Sequence, residues 1–460
     1  MIKSSLSLLL ILTLYSQANM SFERWQQQQS RDFESYQTQM DREFIDMLKK
    51  EWQEYHSKKT LNPYNKPKPH QQPIYRPQPK PEKVITITPT IPQIEPMPKI
   101  SPKNEMAGFK KVGFDFFGID IEILYNQKLL FDIYSISNSS IANFWDKISS
   151  IDYHSLTAQI KEYQTIYRLD GWSSYLLVKE ITKRVYPNRN AQNLMQWFIL
   201  VKLGVDAKIG YRTDNISLLV CSDEKLYGVN FFRVNGKRYY NLSDNSIDLQ
   251  IYKRDLNTLY PLAFLNREIG LPYSIKTKEI RFIYRDKIYL VDIPYNQNLT
   301  NLYQKYPQLP YSRYTKISSI TQEAIYKQLQ PIINSMSQID AINFLLRLTQ
   351  NGFRYKTDNE NFGYEKVMFF EETLANKYSD CEDRAIFFYI LVKKLLGLDI
   401  VFVKYPNHLA TAIRLDSNIG GDRVIYQNQK YYIADPTYSS ANIGQTMPQI
   451  RFQEVKIIQP

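Results

Sequence analysis

The stretch Ser379-Asp380-Cys381-Glu382-Asp383-Arg384-Ala385 is followed by an apolar run from Ile386 to Leu398. Ser379 and, three residues later, Glu382 form the pattern of a capping box, which predicts that a helix begins here. Cys381 then lies in the first turn, where free backbone N–H groups and the positive end of the helix dipole favour a thiolate. The stretch therefore predicts a reactive cysteine at a helix N-terminus.

Two later residues complete a candidate catalytic set. His408 comes just after the strand-like run from Ile400 to Lys404, and Asp435 ends another strand-like run. A thiol at a helix start, then a histidine and an aspartate on successive strands, is the order that a Cys-His-Asp triad needs: nucleophile, base, and a group that fixes the imidazole. The other histidines lie outside this region: His56, His70 and His154.

These motifs resemble the transglutaminase-like superfamily, whose papain-related core uses the same order. The string from Glu372 to Ala375, ahead of the Cys381 motif, is similar to the bacterial transglutaminase-like cysteine proteinases. The resemblance covers roughly residues 320–445 by motif placement. It implies an α+β fold whose C-terminal core packs the cysteine-bearing helix on an antiparallel sheet. It also implies acyl transfer from a peptide or glutamine-type amide through a Cys381 thioester.

An oxyanion hole needs two hydrogen-bond donors, and the Cys381 backbone N–H supplies one. The resemblance implies that the second donor is a side chain upstream of the nucleophile, which is a glutamine in papain-like enzymes and an aromatic residue in many relatives. No glutamine stands between Asn351 and Ser379. The candidates, with Tyr355 placed first, are Tyr355, Tyr364 and Asn361.

Three acidic residues flank the nucleophile: Asp380, Glu382 and Asp383. The resemblance implies that acidic residues here take part in calcium binding, for which oxygen ligands are suited. The alternative is that Glu382 caps the helix while Asp383 interacts with the helix dipole or with Arg384. Because the chain has two cysteines, a Cys-His metal site is disfavoured. We expect no cofactor, with calcium left open.

The N-terminus has the pattern of a secretory signal peptide. Lys3 supplies the charge, Leu6 to Leu14 the apolar core, and Ser16-Gln17-Ala18 a small-x-small cleavage site. The core is short for a bilayer span, so we expect cleavage after Ala18 rather than anchoring, and no later transmembrane segment. The localisation expected is periplasmic or extracellular, with Cys221 a buried thiol.

Two segments precede the folded body. Residues 20–56 carry apolar side chains at helical spacing, which predicts an amphipathic helix that packs on its own protein, on a copy of itself, or on a cell-envelope partner. Residues 63–102 hold 12 of the 23 prolines, which is typical of an extended tether. Because residues 63–103 contribute +5 of the net charge of +12, we expect no nucleic-acid partner.

The segment Trp197 to Asp206 echoes Tyr389 to Asp399, and residues 235–240 echo residues 428–432. Sliding the two regions together places Asn190, Asn215 and Ser243 near Cys381, His408 and Asp435. One interpretation is a degenerate copy of the catalytic fold, and the other is that any helix-strand-strand unit gives such echoes. A hairpin around Arg285-Asp286-Lys287 and strands near 114–136 predict a small β region.

The expected layout is a signal peptide over 1–18, an amphipathic helix over 19–60, and a proline-rich linker over 61–106. An α+β domain that includes the possible degenerate copy follows over 107–260. A β-rich region over 261–316 and the transglutaminase-like domain over 317–460 complete the chain.

The function expected is hydrolysis, with a protein or peptide as substrate and water as acyl acceptor. An amine acceptor would instead give a protein cross-linker. A third alternative is a non-catalytic envelope scaffold with a vestigial triad, which would tolerate the loss of Cys381.

The processing site gives a direct prediction. Cleavage after Ala18 leaves Asn19 as the new N-terminus, because the small residues at positions 16 and 18 fit the signal-peptidase pattern. Intact-mass measurement of the exported protein checks this, and retention of Met1 would contradict it.

Overall fold

The computed structural model describes residues 28, 38–60, 83–87, 100, 106–256, 259–264 and 267–460. The predicted signal peptide and most of the proline-rich linker lie outside these residues. Within them the protein is mixed α+β, as expected, with several antiparallel sheets. In the described part of the chain, every helix is too short or too polar to cross a membrane.

The helices are residues 38–48 (α1), Asn138–Ser149 (α2), His154–Ile166 (α3), Gly171–Val185 (α4), Arg189–Lys202 (α5), Gln297–Tyr303 (α6), Ser319–Ile333 (α7), Gln338–Gly352 (α8), Asp358–Asn361 (α9), Phe370–Ala375 (α10) and Cys381–Leu395 (α11). The strands are Trp52–His56 (β1), Lys58–Lys59 (β2), Lys83–Ile87 (β3), Phe109–Phe116 (β4), Ile119–Asn126 (β5), Ala207–Arg212 (β6), Asn215–Cys221 (β7), Asn230–Val234 (β8), Lys237–Asn241 (β9), Asp248–Tyr252 (β10), Ile275–Tyr284 (β11), Lys287–Asn296 (β12), Arg354–Tyr355 (β13), Tyr378–Ser379 (β14), Ile400–Tyr405 (β15), His408–Arg414 (β16), Arg423–Tyr426 (β17), Gln429–Ala434 (β18) and Lys456–Ile458 (β19).

The first large sheet has the strand order β1-β10-β6-β7-β9-β8-β2. Only Ser57 separates β1 from β2, so both ends of this order belong to one extended segment and the sheet closes on itself. Helix α5 packs on the outer face through β6 and β7. An apolar cluster fills the other face: Leu219, Cys221, Phe232, Val234, Tyr239, Leu249 and Ile251.

The C-terminal sheet has the order β17-β18-β16-β15-β19. Helix α11 packs on β15 and β16 and buries almost every residue, which explains the unbroken apolar run after Cys381. Numbered along the chain, the five strands lie in the order 3-4-2-1-5, and β6 to β10 of the first sheet have this same order. As far as the described residues go, the two sheets differ in that β1 and β2 close only the first.

The N-terminal helix ends earlier than predicted. It ends at residue 48, and Trp52–His56 forms β1 against β10 instead of continuing the helix. The apolar face of α1 packs on its own chain, where the Phe44 ring lies 4.7 Å from that of Trp145. Asp41 pairs with Lys202 at 2.7 Å. Residues 38–56 therefore pack against their own chain. The predicted partner helix is limited to residues 20–37, which lie outside the described part except for Gln28.

Part of the predicted linker is structured. Lys83–Ile87 forms β3, which pairs in parallel with β12 at the edge of the β11–β12 hairpin. The hairpin turns at Arg285 and Asp286, as predicted. The strands near 114–136 are instead β4 and β5, paired through a turn at Phe117-Gly118 with positive φ at both residues. Residues 127–129 form a short 3-10 helix, and residues 130–136, predicted to be part of a strand, are irregular.

Glu371 on α10 is a fully buried carboxyl that joins two helices. Its Oε1 accepts a hydrogen bond from the Ser318 backbone N–H at 2.6 Å, at the start of α7. Its Oε2 has no hydrogen-bond partner in the described residues. Burial raises the pKa of Glu371 to about 7, because the charged form is poorly solvated there.

We predict that Glu371→Gln stabilises the protein at about pH 8 and has little effect near pH 4. A carboxyl whose pKa rises on folding contributes most stability below its ordinary pKa of 4.5, and this contribution is lost as the pH rises through about 7. Gln stays neutral, so the gain at alkaline pH is up to ~3 kcal/mol. Thermal unfolding across this pH range tests it, with the exposed Glu323→Gln on α7 as control. A pH-independent difference from wild type would contradict the prediction.

Candidate active site

Helix α11 begins at Cys381, so the cysteine lies in the first turn as predicted, but the cap is one residue later than the sequence pattern indicates. Asp380 is the N-cap residue, and its backbone N–H donates to Asp383 Oδ2 at 3.2 Å. The capping box is thus Asp380 and Asp383, not Ser379 and Glu382. Ser379 ends β14 and accepts a hydrogen bond from Arg384 Nε at 3.1 Å. This shift leaves the Glu382 side chain available for another role.

Glu382 accepts a hydrogen bond from the nucleophile candidate. The Cys381 thiol donates to Glu382 Oε2, with Sγ and Oε2 2.8 Å apart. Cys381 is 2% exposed, and the Leu409 backbone N–H lies beside its sulfur. Burial, and then the Glu382 and Asp380 carboxylates, raise the pKa of Cys381 well above its usual value. The low thiol pKa predicted from the helix start is therefore wrong for this arrangement, because desolvation and acidic neighbours outweigh the dipole.

His408 and Asp435 are brought together as predicted. The imidazole Nε2 lies 2.8 Å from Asp435 Oδ2, and both side chains are buried. Burial alone would lower the pKa of His408, but the charge and hydrogen bond of Asp435 raise it above its usual value. With Nε2 facing the carboxylate, Nδ1 is the ring nitrogen that can exchange a proton with a substrate or a thiol. Leu409, which contacts the Cys381 sulfur, is the next residue along β16.

The Asp435 carboxylate is fixed by the loop that follows it. Its Oδ1 accepts hydrogen bonds from the backbone N–H groups of Thr437 at 2.9 Å and Tyr438 at 3.2 Å. Gln350 on α8 donates to the Asp435 carbonyl at 3.1 Å. Arg347, also on α8, donates to the Ala441 carbonyl at 2.7 Å. The sequence analysis missed both α8 residues, although two buried polar side chains three apart on an apolar helix are a detectable signal.

Tyr355 lies beside the nucleophile. It is opposite Ser379 in the parallel pair β13–β14, two residues before Cys381. Burial, and then the Cys381, Asp380 and Glu382 groups, raise the pKa of Tyr355, so its hydroxyl remains a hydrogen-bond donor. The other two candidates differ in exposure: Tyr364 is 59% exposed and Asn361 is half-buried. Of the three, Tyr355 fits a second oxyanion donor best.

The acidic cluster differs from the predicted one. Carboxylate oxygens of Asp358, Asp380 and Asp383 lie within 4.8 Å of one another, whereas Glu382 faces the thiol. The Lys366 backbone N–H donates to Asp358 at 2.6 Å, and the Met368 backbone N–H donates to Asp383 at 2.9 Å. The buried Arg384 guanidinium adds positive charge beside Asp380 and Asp383. These donors fit a hydrogen-bonded network better than a calcium site.

The first sheet places the predicted counterparts at equivalent positions. Asn215 begins β7 as His408 begins β16, each directly after a two-residue turn. Asn190 Oδ1 accepts from the Ile216 backbone N–H at 2.9 Å, in the place where the Leu409 backbone N–H lies beside the Cys381 sulfur. The β7–β9 register carried on past Asn241 aligns Ser243 with Asp435.

This first-sheet site is filled by hydrogen bonds among its own groups. Asn215 Nδ2 donates to Asp244 Oδ2 at 2.6 Å, and Asn241 Nδ2 donates to Asp244 Oδ1 at 2.7 Å. The Leu218 backbone N–H donates to Ser243 Oγ at 2.7 Å. With neither a thiol nor an imidazole, the arrangement lacks the groups for covalent acyl transfer. Cys221 lies elsewhere in the sheet, where burial raises its pKa to about 12.

In comparisons with known proteins, no family model, no curated protein and no solved structure matches the chain.

The Glu382 contact gives a prediction about the thiol. Glu382→Gln removes a negative charge that favours the protonated thiol and replaces a charged hydrogen-bond acceptor with a neutral amide, so the pKa of Cys381 should fall. A fall of about one unit gives about tenfold more thiolate near pH 8, and alkylation should accelerate by a similar factor. Peptide mass spectrometry after timed alkylation measures the rate, with Cys221 as internal control. An unchanged Cys381 rate would contradict the role given to Glu382.

Proposed function

We propose that the protein is an exported cysteine hydrolase of the transglutaminase-like type that cleaves a peptide or glutamine-type amide through a Cys381 thioester. The observation that carries the proposal is the buried His408–Asp435 contact at 2.8 Å, one residue from the backbone N–H that touches the Cys381 sulfur. Cys381 begins α11, and the His408–Asp435 pair lies close enough to that helix start for the Glu382 and Asp380 carboxylates to help raise the pKa of His408. These groups have the chemistry of nucleophile, base and orienting acid.

The finer fold proposed is a papain-related core. Its support is the packing of α11 on the antiparallel pair β15–β16, with the cysteine at the first helical residue and the histidine at the first residue of β16. Asp435 follows directly after β18, which pairs with β16. The sequence order and the element that carries each group agree with the core that the resemblance implies.

The chemistry follows from these positions. The thiol proton passes to His408 Nδ1, and the thiolate attacks the amide carbonyl carbon to give a tetrahedral oxyanion. The Cys381 backbone N–H and the Tyr355 hydroxyl are the donors for that oxyanion. The C–N bond then breaks, the amine leaves with the proton from His408, and the acyl group stays on sulfur. Water attacks the thioester with His408 as base, which releases the acid and regenerates the thiol.

The contact between Cys381 and Glu382 represents a resting state in this scheme. The thiol is protonated and bound to a carboxylate, so substrate entry has to displace Glu382 before the proton can pass to His408. Asp435 favours protonated imidazole, which stabilises the ion pair formed on transfer.

The same burial favours a second candidate, the non-catalytic envelope scaffold. A thiol on a residue that is 2% exposed, and held protonated, behaves as a structural group unless the site opens. In this alternative, the His408–Asp435 pair serves only to fix the loop after β18. The two functions differ in whether the thiol reacts under native conditions.

An electrophilic thiol probe on the purified mature protein separates them. We expect labelling at Cys381, and loss of most of it in His408→Asn, because the base that removes the thiol proton is gone. The matched control is His154→Asn, which makes the same change at an exposed histidine outside the site. Labelling should fall by about tenfold or more in the first variant only.

Peptide mass spectrometry identifies the labelled cysteine, and thermal unfolding shows whether each variant is folded. Cys381→Ser should abolish labelling and turnover of a peptide amide while the protein remains folded. Equal labelling of Cys381 and Cys221, or equal rates in both histidine variants, would favour the scaffold.

A further inference from the structure

The two sheets differ at one place that bears on partner binding. In the first sheet, the segment β1–β2 runs between β10 and β8 and closes the sheet. The equivalent strands of the C-terminal sheet are β19 and β17, which end the strand order. Among the described residues, no strand pairs with the outer edge of either. Within the described residues, one sheet thus has a closing strand and the other has none.

An open edge presents backbone N–H and C=O groups that can pair with an added strand. Beside this edge, Ile457 of β19 and Val424 of β17 pack against the apolar cluster of the inner face. The Tyr426 hydroxyl bonds Gln459 Oε1 at 3.0 Å, so the two edges approach each other at one point. An incoming strand would thus meet both backbone groups and the margin of an apolar core.

The positive charge of the C-terminal sheet indicates which kind of added strand would bind at its edge. Lys456 on β19 lies directly across from Lys404 on β15. Like charges directly across from each other destabilise the pairing of β15 with β19. An anion placed beside Lys456 would therefore stabilise the sheet. In the described chain, no carboxylate forms an ion pair with Lys456. Tyrosines apart, the ionisable residues within the five strands are all basic types: Lys404, His408, Arg414, Arg423, Lys430 and Lys456.

The strand registers of the two sheets indicate which residue of an added strand would lie opposite Lys456. In the first sheet, Gln250 pairs with Tyr211 on one side and with Glu54 of the closing strand on the other. Tyr211 is equivalent to Lys404, because each lies one residue before the end of the strand that leads into the turn. Lys456 is therefore equivalent to Gln250. A strand that pairs with β19 in the way that β1 pairs with β10 would place its residue equivalent to Glu54 next to Lys456.

We infer that the outer edge of β19 binds an extended acidic peptide segment of a partner protein by strand addition. Lysine on an edge strand discourages pairing with another basic edge, which argues against a second copy of this chain as the occupant. The same lysine attracts a segment that alternates apolar and acidic residues. The outer edge of β19 is separated from the His408 strand β16 by β15, and strand addition there does not depend on the proposed reaction.

Binding of a dye-labelled peptide of about eight residues, alternating glutamate and valine, to the full mature chain tests the proposal. Fluorescence anisotropy should show saturable binding that weakens with salt. Replacing each glutamate with lysine should abolish it. Lys456→Glu should weaken it by about tenfold or more, since attraction becomes repulsion. The matched control is Gln250→Glu, the same new charge at the equivalent position beside a strand that is already paired.

Hydrogen exchange locates the bound peptide. We expect slower exchange of the amides of residues 456–458 when the acidic peptide is present, and no change in β10. The proposal is overturned if Lys456→Glu binds as wild type does, if the lysine peptide binds equally well, or if protection falls elsewhere. Self-association of the chain that protects residues 456–458 without peptide would also overturn it, because a second copy would then be the occupant.

Discussion

The hydrogen bond between His408 and Asp435 is the interaction on which the C-terminal half depends. A carboxylate with no exposed surface is stable only when its oxygens are satisfied, and Asp435 accepts bonds from the imidazole and from two backbone N–H groups. Those N–H groups belong to a loop that Arg347 and Gln350 hold against α8. Sheet, loop and helix are thereby joined at one acid, so the element that orients the base also organises the surrounding fold.

The two sheets solve the same packing problem with different closures. In each sheet one helix, α5 or α11, packs on the face formed by the first two strands, and an apolar cluster lies on the other face. In the first sheet, amides and a serine occupy the positions of the candidate triad and are saturated by Asp244 and backbone groups. A site of this kind lacks the nucleophile and the base that acyl transfer needs. In the second, the equivalent positions carry a thiol and an imidazole, and Glu382 holds the thiol protonated.

Local sequence predicted the elements that are decided locally. Cys381 begins its helix and His408 begins its strand because the apolar run and the strand-like runs fix those boundaries. The cap moved from Ser379 to Asp380 because Ser379 is held in β14 by pairing with Tyr355, a contact that no local pattern contains. Trp52–His56 has aromatic spacing that also fits a helix, and it became a strand because β10 offers a partner edge. The contact between the Glu382 carboxylate and the thiol was missed for the same reason: Asp383 rather than Glu382 closes the cap, and Glu382 bonds the sulfur instead.

The closing strand of the first sheet has a consequence for how the protein is made. Residues 52–56 pair with residues 248–252, about 200 positions later in the chain. During synthesis this segment emerges early, but its partner β10 is made much later. We therefore expect α1 and β1 to dock only after the intervening helices and strands have formed. Bringing the ends together late places the largest loop-closure cost at the last step of assembly. The seam between β1 and β10 is then the place where an incompletely folded chain differs most from a finished one, and where a protease or chaperone would first distinguish the two.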